Sequence, residues 1–340
     1  MKTPTMAGLA TLAAGGVFLA AMTLGNDDDS NDKTPVAVTH QKTPATNSPT
    51  ISTTSPTSPT SPTSRENGPY VALGDSYTSG PNIPSQASST PAGCDRSDRN
   101  YPSLVAEQLA LDPADFRDMS CTGATIADLT SPQSTDNGVN RAQLSALSDE
   151  TRLVTIGIGG NDIGFSSLIK QCMKSGVLYY AMGSGKYTGV AAPCREEYVS
   201  GGTDEIQQRI DTAGTRLATA LAEVKRRAPQ AEVYVVGYPA ILPPTASDCG
   251  RELGLAPADV PFLHKEAQSL NTTLRERAAA AGAVYVDTYK PSVGRDACSD
   301  RTTRWIEPMI PLAPAAPVHP NARGERGMAD AVLHAIDAAK

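Results

Sequence analysis

Two glycine-flanked polar turns and one loop histidine could together carry out nucleophilic chemistry. Gly74-Asp75-Ser76-Tyr77 follows one short apolar run, Gly159-Gly160-Asn161-Asp162 follows another, and His319 sits in Pro317-Val318-His319-Pro320-Asn321. A serine hydroxyl is a weak nucleophile. It needs a base within hydrogen-bond reach and donors for the oxyanion that forms when it attacks an ester carbonyl. The chain has 4 histidines to offer as that base. His40 lies in a Thr/Ser/Pro-rich stretch, His264 in a helical pattern, and His334 in the C-terminal helical pattern beside Ala331, Leu333 and Ile336. His319 alone occupies an irregular loop, just before the last helix, so Ser76 and His319 are the expected nucleophile and base. Taken singly, each motif reads as an ordinary turn or a surface histidine, since glycine and asparagine favour turns anyway. Their joint occurrence, in this order, points to catalysis.

The elements that would position these residues are legible in outline. Apolar runs at 70–73 (YVAL), 153–158 (LVTIGI), 233–236 (VYVV) and 283–286 (AVYV) are short and continuous, as strands buried on both faces are. A further short strand is expected before Cys121. Helices are expected over 101–110, 203–228, 257–281 and 322–339. In the second of these, Ile206, Ile210, Ala213, Leu217, Leu221 and Val224 recur at spacings of three and four, which marks one buried face. Strands alternating with helices imply an α/β fold, a three-layer α/β/α sandwich with a central parallel sheet. Sites in such folds gather at the carboxyl ends of the strands, where Ser76 and Asn161 both fall.

The N-terminal fifth of the chain has a different character. Lys2, an uncharged apolar run over 6–24 and then Asp27-Asp28-Asp29 make residues 1–25 an export signal or an uncleaved membrane anchor. Residues 26–67 include TTSPTSPTSPTS at 53–64, a repeat with nothing to bury and with proline every third residue, and are expected to be a disordered, extended linker. Residues 68–340 remain for one domain with a sizeable core. Of the net charge of −7, the first 25 residues contribute +1 and the linker −2, which leaves the domain at −6. An acidic domain without a basic stripe is a poor nucleic-acid binder. The chain is therefore expected to be secreted or displayed at the cell surface, tethered to membrane or cell wall if its first segment is retained. Its 6 cysteines, Cys94, Cys121, Cys172, Cys194, Cys249 and Cys298, match no common zinc spacing and suit disulfides in an exported protein. Six cysteines allow 15 connectivities, between which the sequence alone does not choose.

On these residues the chain resembles the SGNH, or GDSL-type, hydrolases, from Tyr70 to the C-terminus. Gly74-Asp75-Ser76-Tyr77 looks like the family's nucleophile block, with Tyr77 where leucine is often found. Cys121-Thr122-Gly123-Ala124-Thr125 resembles the block whose glycine amide helps form the oxyanion hole, which implies that role for Gly123. Gly159-Gly160-Asn161-Asp162 matches the block whose asparagine side chain donates to the same oxyanion, and Val318-His319-Pro320-Asn321 matches the histidine block. The resemblance is strongest to secreted actinomycete lipases and esterases. It implies a flavodoxin-like SGNH fold, an ester substrate, no metal or other cofactor, a monomer, and pairing of neighbouring cysteines as Cys94–Cys121, Cys172–Cys194 and Cys249–Cys298. The implied oxyanion hole comprises Ser76, Gly123 and Asn161. One position departs from the family: where an aspartate often stands three residues before the histidine, this chain has Ala316. The Ala316 or Pro317 carbonyl is then expected to hold the other imidazole nitrogen, with a distant aspartate as the fallback.

Other readings fit less well. The Gly-x-Ser-x-Gly nucleophile elbow fails because Thr78 occupies its last position, and Gly157-Ile158-Gly159-Gly160-Asn161-Asp162 has aspartate where a dinucleotide-binding turn needs its third glycine. Lipid or simple carboxylic esters are the first expectation for substrate, and a carbohydrate O-acetyl esterase the alternative. A non-catalytic surface protein on a stalk is the alternative of another class, opposed by the presence of both Ser76 and His319. The segment 165–202, with Cys172 and Cys194, is expected to form a tethered loop that walls or covers the site, or a passive insertion.

Overall fold

The computed structural model describes residues 68–340 apart from 89–90, 183–191 and 246–247, and apart from the side chains of 182, 248 and 249. The signal or anchor over 1–25 and the linker over 26–67, with His40, lie outside the described residues.

Five strands form the central sheet: β1 (Tyr70–Gly74), β2 (Phe116–Asp118), β3 (Leu153–Gly157), β4 (Glu232–Val236) and β5 (Val284–Val286). All neighbours are parallel, in the order β2-β1-β3-β4-β5, with Tyr70 in register with Phe116 on one side and Leu153 on the other. The four apolar runs and the further short strand before Cys121 are thus all present. β1 and β3 are buried along their whole length, which is why they read as continuous rather than alternating runs.

Successive strand residues point to opposite faces, and each face meets its own helices. Tyr70 and Ala72 of β1 pack with α2 (Tyr101–Gln108) and α6 (Ala322–Ala339), through residues such as Val105, Val332 and Ile336. Val71 and Leu73 face the other way, toward α4 (Glu205–Arg227) and α5 (Asp259–Ala280). All six apolar positions read as one face of α4 are buried, each of the large ones stabilising the fold by roughly 2 kcal/mol. The result is the expected α/β/α sandwich.

The segment 165–202 differs from the expected loop. It opens with an 18-residue helix, α3 (Phe165–Met182). Its Gly, Tyr and Ser content suggested irregular chain, but Phe165, Leu168, Ile169 and Cys172 recur at spacings of three and four and are buried, so tertiary burial overrides composition. Beyond it, the Asp259 carboxylate at the start of α5 accepts the Cys194 and Arg195 amides. Cys94–Cys121 and Cys172–Cys194 are disulfides. Cys298 is also disulfide-bonded, while the side chain of Cys249, its expected partner, lies outside the described residues.

Strand order reverses at β1 and β3, since the chain passes from β1 outward to β2 and then back to the other side. At such a switch point the loops leaving the two strands part and open a crevice at their carboxyl ends. Ser76 leaves β1 and Asn161 leaves β3 at that crevice.

Candidate active site

The turn after β1 is shaped by close approach and by two side chains. A Cβ on Gly74 would lie 2.2 Å from Thr78 Oγ1 and 2.6 Å from the Gly157 carbonyl, so only glycine lets β1 and β3 close on the turn. Gln143, fully buried, clamps the same residue: Gly74 N donates to Oε1 at 2.8 Å and Nε2 donates to the Gly74 carbonyl at 2.9 Å. Asp75 then caps a one-turn helix, α1 (Ser76–Ser79), its carboxylate accepting Tyr77 N at 2.9 Å. Ser76 stands at the first position of that helix. Its amide has no acceptor among the described residues, as first-turn amides do not.

His319 arrives from the loop before α6. Its Nε2 lies 2.7 Å from Ser76 Oγ and its Nδ1 2.7 Å from the Pro317 carbonyl. A carbonyl only accepts, so Nδ1 carries the proton and Nε2 is free to take one from the serine. Of the two carbonyls expected there, Pro317 rather than Ala316 holds the ring; among the described residues no carboxylate is hydrogen-bonded to Nδ1. Burial holds the imidazole below its ordinary range, partly offset by the Pro317 bond. The loop is pinned from several sides. Tyr77 Oη donates to the Val318 carbonyl at 2.6 Å, Val318 N donates to the Glu307 carbonyl, and Glu307 N to the His319 carbonyl. These bonds hold Val318, a β-branched residue, at φ +60°, a conformation that costs on the order of 1–3 kcal/mol.

The block that carries Gly123 is bonded to the end of β1 and to Asn161 in the turn after β3. Gly123 adopts φ +78°, natural for glycine, and its amide has no acceptor among the described residues. The block it belongs to is fixed by the Cys94–Cys121 disulfide, by Cys121 N donating to the Gly74 carbonyl and by Gln133 Nε2 donating to the Thr122 carbonyl. Asn161 Nδ2 donates one proton to the Ala124 carbonyl at 2.9 Å, leaving its second for another acceptor. Asp162 Oδ2 accepts Ile126 N at 2.9 Å, so the blocks carrying Gly123 and Asn161 are tied to each other twice.

Beneath Ser76 lies a polar hub that sequence reasoning missed. Tyr238 Oη donates to Asp75 Oδ2 and accepts Gly160 N at 2.7 Å, joining the turns after β1 and β3. Asn271 on α5 holds Tyr238 through both its backbone groups, at 2.8 Å each. Burial raises the Asp75 carboxyl to about 7, against the lowering effect of Tyr238. The one available signal was position, since Gly237-Tyr238 directly follows β4 at the active edge of the sheet. The other histidines stand apart: His264 Nδ1 bonds the Leu242 carbonyl, and His334 is exposed on α6. Among the described residues no cluster of three His, Cys, Asp or Glu is placed to hold a metal ion.

Ser76 and His319 open onto a cleft of about 230 Å³ whose apolar walls include Phe165, Ile169, Ile241, Ala267, Leu270 and Met309. The first half of α3 thus walls the site. A serine held by a neutral imidazole, beside unpaired amides and an apolar cleft, can perform acyl transfer on an ester. The sequence model of the GDSL-like lipase/acylhydrolase family matches residues 72–326. The chain belongs to that family. Among curated relatives, "Lipase 2" of Streptomyces coelicolor is 41% identical over 272 residues, covering 79% of this chain and 84% of that protein. Two solved structures share the fold. Phospholipase A1 from Streptomyces albidoflavus NA297 superposes with TM-score 0.62 at 27% identity, over 79% of this chain and 98% of that one. An extracellular lipase from Streptomyces rimosus superposes with TM-score 0.61 at 28% identity, over 78% and 98%. The chain is accordingly a carboxylic ester hydrolase of the GDSL type.

Proposed function

We propose that this hydrolase acts outside the cytoplasm on lipid or simple acyl esters, through a Ser76–His319 dyad and an acyl-enzyme. His319 Nε2 removes the Ser76 proton as Oγ attacks the ester carbonyl carbon, and the carbonyl π electrons move onto oxygen. The Ser76 and Gly123 amides and Asn161 Nδ2 receive that oxyanion. Collapse breaks the bond to the alkoxy oxygen, which leaves as alcohol with the proton from His319. Water then attacks the acyl-serine, its proton passing to His319, and the acid departs as Ser76 regains its proton. Imidazolium forms twice in each turnover, and the Pro317 carbonyl supports it with a dipole where many relatives of the triad type use a full charge.

The observation that carries this reading is the 2.7 Å contact between Ser76 Oγ and His319 Nε2 at the mouth of the apolar cleft. The cleft favours acyl chains over sugars, because its walls offer aliphatic surface and few polar groups. The sequence pattern of residues 1–25, read as an export signal or an uncleaved anchor, and the disulfides in the fold support an oxidising, extracytoplasmic setting. Covalent labelling by a fluorophosphonate tests the dyad: wild type is labelled and Ser76→Ala is not. Labelling that survives in Ser76→Ala would place the nucleophile elsewhere. Turnover on acyl esters of increasing chain length, compared with acetyl-xylan, tests the substrate class.

A further inference from the structure

The chain between Glu307 and His319 has a composition that catalysis does not explain. Residues 308–317 (PMIPLAPAAP) carry no charge and have proline at every third position. The loop is built rather than frayed. The buried Glu307 carboxylate accepts the Leu312 and Ala313 amides at 2.9 and 3.1 Å, and Ala316 N donates to the Pro81 carbonyl at 3.0 Å. Yet this held loop presents Ile310 at 79% exposure and Leu312 at 59%, the two most exposed large apolar side chains among the described residues. Fixing two such side chains in water is unfavourable unless something covers them.

The same loop divides two surfaces. On one side Met309, Ala316 and Pro317 line the catalytic cleft. On the other, Leu312 and Ala313 border a shallow groove into which Arg99, Arg301, Arg323 and Arg326 project. Arg301, Arg323 and Arg326 have no carboxylate within 4 Å among the described residues, and Arg99 has only Asp98 at 4.0 Å. The nearby acids are engaged: Glu307 holds the loop and Asn321, and Asp300 accepts from Thr302. Four arginines thus gather beside an apolar crest in a domain of net charge −6.

We propose that loop 308–317 and these four arginines form a docking surface for an anionic lipid bilayer. Ile310 and Leu312 enter the acyl boundary while the arginines meet headgroup phosphates, and the cleft mouth, sharing this loop, faces the membrane. Apolar insertion flanked by guanidinium groups is the composition that binds such interfaces. The occupant is an anionic bilayer rather than a protein because four guanidinium groups line the groove beside the exposed Ile310 and Leu312, while the Glu307 carboxylate there is taken up by the loop's own amides and by Asn321. The proposal rests on the ester-hydrolase reading only for its purpose, since docking itself needs no turnover.

Co-sedimentation of the full chain with phosphatidylcholine vesicles, with and without phosphatidylglycerol, tests it. All binding is read in a Ser76→Ala background, so that vesicles stay intact and failure of the catalytic reading cannot affect the result. Binding should be stronger on the anionic vesicles by roughly tenfold or more and should weaken as salt is raised. Ile310→Asp/Leu312→Asp and, separately, Arg301→Gln/Arg326→Gln should each lose about tenfold of that binding. With Ser76 intact, both double variants should hydrolyse a soluble short-chain ester as wild type does, which shows that they fold. Equal binding to the two vesicle types would overturn the proposal. So would unchanged binding by both double variants, the result expected if residues 1–25 alone hold the chain to lipid.

Discussion

Tyr77 Oη donates to the Val318 carbonyl at 2.6 Å, which ties the residue after Ser76, the proposed nucleophile, to the residue before His319, the proposed base. The tyrosine ring also lies against the imidazole, with centroids 4.8 Å apart. Ser76 and His319 are 243 residues apart in sequence, and this bond sets one loop against the other at the point of contact. Tyr77→Phe keeps the ring and removes the tie. Because Val318 occupies an unfavourable φ, the histidine loop should then drift. A misplacement of about 1 Å typically costs up to 100-fold in rate, so kcat should fall by roughly 10- to 100-fold with KM little changed. Steady-state kinetics on a soluble ester reads this split, and a variant with wild-type kcat would show that the loop is held without Tyr77.

The acid limb of the pH–rate profile follows from His319. Burial disfavours the imidazolium, so the folded enzyme holds this histidine below the ordinary 6.5. The neutral form is the working base, and it therefore persists at lower pH than for a solvated histidine. The rise of kcat/KM with pH should be centred below 6.5, and the profile should be flat through neutrality as far as this group is concerned. Placing a carboxylate near Nδ1, as in Ala316→Asp, should move that limb upward. A limb centred above 7 in wild type would contradict the environment described for the ring.

Much of this site was legible in the sequence because its groups come as short blocks, each at the end of an apolar run or before a helix. Ser76, Asn161 and His319 could be singled out this way and Gly123 through the family resemblance alone, and the structure ties their blocks together at one sheet edge. Tyr238, Gln143 and Glu307 could not. Tyr238 and Gln143 are single polar residues whose partners lie far along the chain, 163 residues away for Tyr238 with Asp75 and 69 for Gln143 with Gly74, while Glu307 is a lone acid that serves amides within its own loop. No local pattern announces such a contact, since its cause is the burial of a backbone or carboxylate that folding alone creates. Helix α3 was hidden for the opposite reason: its composition suggested loop, and only its packing against the core makes the period visible.

The oxyanion role proposed for Asn161 can be tested separately from the dyad. Its amide keeps one proton on the Ala124 carbonyl and offers the other, so substitution removes a donor and also loosens one of the two ties between its block and that of Gly123. Loss of one oxyanion donor typically costs roughly 3–4 kcal/mol in the transition state. Asn161→Ala should therefore lower kcat by about 100-fold or more. Fluorophosphonate labelling of Ser76 should slow as well, since the reagent's phosphoryl oxygen uses the same donors. Unchanged turnover would remove Asn161 from the oxyanion hole.

On the proposed reading, acyl chains lie in the apolar cleft, and substitution of its walls should then move the chain-length preference. Ile169 on α3 and Leu270 on α5 are among its apolar walls. Ile169→Trp fills space that an acyl chain would occupy, away from Ser76 and His319. Each methylene that loses its place in an apolar pocket costs about 1–3 kcal/mol, so kcat/KM for longer acyl esters should drop by at least about tenfold while acetyl esters change little. A uniform loss across the series would mean that the acyl chain lies elsewhere.

Asp75 predicts a pH-dependent stability that is independent of turnover. Burial raises its folded carboxyl from 3.8 to about 7, so between those values the folded protein binds a proton that the unfolded chain releases. Stability is therefore greatest below about 4 on account of this group and declines as pH rises toward 7. Asp259, raised to about 6, acts in the same direction, so wild type alone cannot isolate Asp75. Asp75→Asn can, because asparagine keeps the acceptor for Tyr77 N, offers Tyr238 Oη a donor as the protonated acid does, and does not ionise. The difference in unfolding free energy between variant and wild type should be constant below pH 4. It should then shift in favour of asparagine by on the order of 4 kcal/mol by pH 7, at about 1.4 kcal/mol per pH unit. Denaturant titrations of both proteins across this range measure it directly. A difference that does not vary with pH would mean that Asp75 keeps an ordinary carboxylate, and hence that the hub beneath Ser76 is charged throughout.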